Sequence, residues 1–91
     1  MGKARPKPER LAEKLKQIRV ALGLSQPEML KHLGLEEAMQ YARISEYETG
    51  QREPSLLTLL AYSRAAGVHM EVLADDGLNL PDKLPARQTA R

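Results

Sequence analysis

The stretch Ile44-Ser45-Glu46-Tyr47-Glu48-Thr49-Gly50-Gln51-Arg52-Glu53-Pro54-Ser55 constrains this chain more than any other. It reads as a short helix with Ile44 and Tyr47 on one face, a left-handed glycine stop at Gly50, and the start of a further helix at Pro54-Ser55. Ser55 fits the N-cap of that further helix because its side-chain oxygen can accept from an amide of the first turn. No strand pattern elsewhere competes, so the fold class expected is all-α.

The remaining segments divide in the same way. Leu11, Leu15, Ile18 and Leu22 share one helical face and predict a helix from about Glu9 to Leu22, ended by Gly23. Ser25 and Glu28 form a capping box for a second helix, Gln26 to about Leu33, in which Pro27 is tolerated because the first turn has no amide that needs an intrahelical partner. Gly34 stops it. A third helix is expected over about 40–49, a fourth from Ser55 through Ala66 and closed by Gly67, and a short fifth from His69 to about Ala74. These helices make one domain, 9–74, between a flexible basic arm, 1–8, and a flexible or strap-like tail, 75–91, which holds Pro81 and Pro85 and no helical stripe.

Ninety-one residues suit a single core and leave no room for a second ligand-binding module. There is no cysteine, which excludes a disulfide framework and a thiolate metal site. The basic amino terminus lacks the apolar run of a secretory signal, and no stretch approaches the roughly 20 apolar residues of a membrane span, so a cytoplasmic protein is expected. The net charge is only +2, but residues 1–19 carry seven cations against Glu9 and Glu13, whereas residues 20–53 carry three cations against six glutamates. His32 and His69 lie on different helices with no further ligand at metal spacing. Glu46 and Glu48 are two apart on a helix and face different sides, and there is no Ser-His-acid or phosphate-cradling arrangement, so neither an enzyme nor a cofactor is expected.

Taken in order, Leu15 to Arg19, Gly23 to Met29, Gly34, Ile44 to Gly50, Pro54-Ser55, Leu59-Leu60, Gly67-Val68 and Leu73 resemble the helix-turn-helix family of phage repressors, Cro proteins and xenobiotic-response-element (Xre) regulators. The resemblance implies a compact five-helix lambda-repressor-like domain that binds double-stranded DNA and regulates transcription, with helix 3 in the major groove. It places a structural ion pair at Arg19 and Glu48. It places Gln26 where family members touch a phosphate and brace a recognition-helix side chain. Base-reading positions fall on Tyr41, Ala42, Arg43, Ser45 and Glu46, with Gln40 at the helix start, and backbone contacts on Thr49, Gln51 and Arg52. Arg43 fits either a bidentate pair with guanine or a phosphate contact, Glu46 either a cytosine amino group or solvent, and Ala42 a thymine methyl.

The chain departs from the family between Gly34 and Ile44, where it carries four residues more than the usual turn and helix start. Leu35, Ala38 and Met39 are out of phase with Ile44, so a longer turn that tucks Leu35 or Met39 against the core is expected rather than a longer helix. Leu57, Ala61 and Val72 stand where the family is often polar and form an apolar surface on helices 4 and 5. A homodimer is expected there; the alternative is that Leu78, Leu80 or Leu84 of the tail folds back over it. The rival function is a protein-binding scaffold, such as an antitoxin that engages its partner through the tail or helices 4 and 5. The acidic balance of residues 20–53 favours that rival, since phosphate neutralisation supplies most non-specific DNA affinity.

Overall fold

The computed structural model describes residues 7–85. It contains α1 (Leu11–Leu22), α2 (Gln26–His32), α3 (Ala42–Glu48), α4 (Leu56–Ala66) and α5 (Met70–Ala74), with no strand among the described residues. None of these helices is long and apolar enough to cross a membrane. Helix 1 starts at Leu11, the first residue of its apolar stripe, rather than at about Glu9, and α3 spans 42–48 rather than about 40–49, so Gln40 and Tyr41 belong to the turn that leads into it. Lys3 and Arg5 of the basic arm, and residues 86–91 of the tail, lie outside the described residues.

The α1 stripe becomes the spine of the molecule. Leu11, Leu15 and Ile18 are buried, and α1 packs against α3, α4 and α5, while α2 packs on α3 and α4 on α5. Met29 of α2, Ile44 and Tyr47 of α3, Tyr62 and Ala66 of α4 and Leu73 of α5 complete the core. Each large aliphatic side chain buried here contributes about 1.5–3 kcal/mol relative to exposure. Local caps fix the helix starts. The Ser25 hydroxyl accepts from the Glu28 amide at 3.2 Å, and the Glu28 carboxylate accepts from the Ser25 amide at 2.8 Å. The Ser55 hydroxyl accepts from the Thr58 amide at 3.2 Å. At the end of α1, Gly23 turns the chain at φ 73°, which a side chain would disfavour.

The extra residues before α3 form a closed turn. The Ala38 and Met39 amides both donate to the Leu35 carbonyl, at 2.9 and 3.2 Å. This folds Leu35 and Met39 together against the core, while Glu36, Glu37 and Ala38 face solvent. The Tyr47 hydroxyl reaches the Met39 sulfur at 3.7 Å, which ties the turn to α3.

After α5 the chain returns across the start of α1. Arg10, at the N-cap of α1, makes no cap with its own side chain. The Asp76 carboxylate takes that part, accepting from the Glu9 and Arg10 amides at 2.8 and 3.0 Å. These two backbone hydrogen bonds hold the Asp76 carboxyl below its ordinary range. The Arg10 guanidinium donates in turn to the Asp76 carbonyl and to Asn79 Oδ1, both at 2.7 Å. Lys14 is buried and donates to the carbonyls of Val72 and Asp75 at 2.8 and 2.9 Å, which satisfies the end of α5. Burial first, and the Arg10 charge second, lower the Lys14 pKa. Leu80 and Leu84 then pack on the edge of the core beside Gln17 and Ala21 of α1.

Candidate nucleic-acid interface

One polar cluster fixes the position of α3. Arg19 of α1 donates from Nε to Glu48 Oε2 at 2.7 Å and from Nη2 to Glu48 Oε1 at 3.1 Å, so the two planar groups meet in parallel. A third donor, Nη1, reaches the Leu24 carbonyl at 3.0 Å. Gln26, at the start of α2, donates from Nε2 to Glu48 Oε1 at 3.3 Å. Glu48 is only 4% exposed and Arg19 16%, and the hydrogen bond to Glu48 raises the Arg19 pKa against the opposing effect of burial. Helices α1, α2 and α3 are therefore joined at the carboxyl end of α3. Beneath the cluster, the Tyr62 hydroxyl is buried with no hydrogen-bond partner, and burial, reinforced by the Glu48 charge, pushes its pKa up.

Because Ile44 and Tyr47 face the core, the opposite side of this seven-residue helix is left outward. Ala42 is exposed, and Arg43, Ser45 and Glu46 are half-buried. Gln40 and Tyr41 are exposed just ahead of it, and their carbonyls accept from the Arg43 and Ile44 amides at 3.0 and 2.9 Å. On this side Glu46 is paired twice, with Arg43 Nε at 3.3 Å and Arg52 Nε at 2.9 Å, both at Oε1. The loop after α3 is also fastened to Glu46, whose carbonyl accepts from the Gln51 and Arg52 amides at 2.9 and 3.2 Å. The Thr49 hydroxyl donates back to the Ser45 carbonyl at 3.0 Å. Of the residues expected to face DNA, Arg43, Glu46 and Arg52 are brought together by these pairs, whereas the Gln26 side chain turns towards Glu48.

A family model for the helix-turn-helix matches residues 15–73, well over half of the chain. This chain belongs to the helix-turn-helix family of the phage-repressor and Xre type. A solved structure similar to this helix-turn-helix protein is the P22 c2 repressor in complex with synthetic operator 9T in the presence of Tl+. The two share 26% identity and a TM-score of 0.63, over 72% of this chain and 94% of that one. Comparison with curated proteins gives no match.

Away from α3, the helix-turn-helix protein presents Leu57, 74% exposed, beside Leu56, 71% exposed, at the start of α4. Ala61 and Val72 are half-buried. Leu56 was legible as the first of two consecutive leucines after the Ser55 cap, and exposed Val20 as a residue opposite the Leu11 to Leu22 stripe. The strap contacts of Arg10, Lys14 and Asp76 carry no local signal, because they join residues 58 to 69 apart along the chain. Among the described residues no three His, Asp or Glu side chains gather as metal ligands.

Proposed function

We propose that this chain is a sequence-specific DNA-binding transcription regulator that reads operator DNA in the major groove with α3 and acts as a homodimer in the cytoplasm. One observation carries the reading. The core anchors α3 through Ile44 and Tyr47 and the Arg19–Glu48–Gln26 cluster braces its end, so Ala42, Arg43, Ser45 and Glu46 are presented on a helix held before any ligand arrives. Such pre-organisation spares a binding helix the entropy of ordering. Likeness to a repressor solved with its synthetic operator supports the same ligand here. In this role Arg43 reads a guanine edge, Ala42 meets a thymine methyl, and Thr49, Gln51 and Arg52 contact the backbone. Occupying the operator then regulates transcription by occluding or recruiting polymerase.

Selection of bound sequences from a random duplex pool tests this, repeated with Arg43→Ala. The expected result is an enriched pseudo-palindrome whose preference relaxes at one base pair in the variant, by about 1–3 kcal/mol of discrimination. Absence of enrichment at low salt would overturn the proposal. A second reading, a scaffold that binds a protein such as a toxin, is favoured by the exposed Leu56 and Leu57 pair and the acidic balance of residues 20–53. Its mark would be a stoichiometric complex with an unrelated small protein and no duplex binding.

A further inference from the structure

We propose that Glu46 is a specificity-setting residue: its carboxylate, shared with Arg52, holds Arg43, so that phosphate alone binds Arg43 poorly while a correctly placed guanine edge does not. This role rests on the DNA-binding reading above. A single oxygen, Glu46 Oε1, lies 2.9 Å from Arg52 Nε and 3.3 Å from Arg43 Nε. The arrangement is anchored by the backbone, since the Gln51 and Arg52 amides bond to the Glu46 carbonyl and set the loop that delivers Arg52. A carboxylate is the intramolecular counterpart of a phosphate oxygen, as both accept charge-assisted hydrogen bonds from guanidinium.

The consequence differs between the two kinds of DNA contact. On arbitrary sequence, an Arg43 that turns to a phosphate exchanges one anionic partner for another and leaves Glu46 with one cation fewer beside the negatively charged backbone. That exchange gains little. At a matched guanine the geometry is different. Arg43 meets Glu46 through Nε, so its two Nη groups supply the parallel pair of donors that guanine O6 and N7 require, and the ion pair persists and aims the guanidinium. Glu46 therefore lowers affinity for DNA in general more than affinity for the operator. The surplus of glutamates over residues 20–53 acts in the same direction, and Glu46 is the carboxylate that stands within ion-pair distance of Arg43 and Arg52 at a single oxygen.

The test compares the full-length chain, Glu46→Gln and Glu37→Gln by fluorescence anisotropy, on the duplex enriched in the selection above and on an unrelated duplex, across a salt series. Glu37 is exposed on the turn before α3, so its variant makes the same change in charge without touching the pair. The expected result for Glu46→Gln is about tenfold tighter binding to the unrelated duplex. Its salt slope should steepen by about one, the equivalent of one further phosphate neutralised. Operator affinity should change by less than threefold, so discrimination falls, and Glu37→Gln should change both duplexes little. Equal effects from the two variants would overturn the proposal in favour of bulk charge. A new base preference at one position, with the unrelated duplex unaffected, would overturn it in favour of direct reading by Glu46. Wild-type binding with no response to Glu46→Gln overturns this role alone, whereas failure of the wild type to bind any duplex overturns the function and the role together.

Discussion

Tyr62 and Glu48 lie close together in the interior and make opposite demands on it. The Tyr62 hydroxyl is buried without a partner, and leaving such a group unsatisfied costs about 1–3 kcal/mol. Tyr62→Phe removes the cost and keeps the ring, so it should raise the urea midpoint, by about 1 kcal/mol, with an unchanged slope. A lower midpoint would mean that the hydroxyl is satisfied in solution. Burial raises the Tyr62 pKa above its unfolded value, so stability linked to this group is intact below about pH 10 and is lost as pH rises beyond it. Glu48, in contrast to the Tyr62 hydroxyl, is fully partnered. Glu48→Ala leaves the Arg19 guanidinium buried with only the Leu24 carbonyl, and should destabilise by about 3–5 kcal/mol in the same urea assay. The Arg19–Glu48 pair was legible because the family pattern places both residues. The Tyr62 hydroxyl was not, because a sequence does not show whether a buried polar atom finds a partner.

At the scale of the helix, what is written locally was readable and what crosses the chain was not. Ser25 with Glu28, and Ser55 three residues before Thr58, announce their caps within one turn. The phase of Leu35 and Met39 against Ile44 likewise sufficed to favour a tucked turn over a longer α3, and both side chains pack on the core. The start of α3 was less legible because neither Gln40 nor Tyr41 supplies a side-chain cap. The cap of α1 was hidden altogether, since Asp76 provides it from beyond α5. Asp76→Ala should therefore lower the melting temperature at pH 7, although the residue lies outside every helix. The folded pKa of Asp76 is depressed, so its contribution is present above the ordinary carboxylate range and lost as pH falls through the folded value. The wild type and variant should accordingly converge on acidification, read as melting temperature by circular dichroism over an acid series starting at pH 7. A gap that does not narrow at all on acidification would show that the carboxylate is not acting as the cap.

For the whole molecule, the strap and the α4 surface serve different ends. Leu80 and Leu84 lie beside α1 near Gln17 and Ala21, while Leu56 and Leu57 at the start of α4 stay uncovered. Among the described residues, the tail therefore leaves this pair available to a second copy. Two leucines are not an interface, because a stable one buries about 1,200–2,000 Å² in total. A dimer here must also recruit the half-buried Ala61 and Val72, and such a two-fold contact would place two copies of α3 on DNA about 34 Å apart, one helical turn. Leu57→Glu sets an unpaired carboxylate at the centre of that contact without disturbing the monomer, because Leu57 is 74% exposed. Sedimentation equilibrium should then show a monomer with an unchanged melting temperature, and binding to the full pseudo-palindrome should fall to the level of a single half-site. If Leu57→Glu still sediments as a dimer, the two-fold contact lies elsewhere. If it is monomeric yet binds the full site undiminished, the two half-sites are filled independently and dimerisation contributes nothing to recognition.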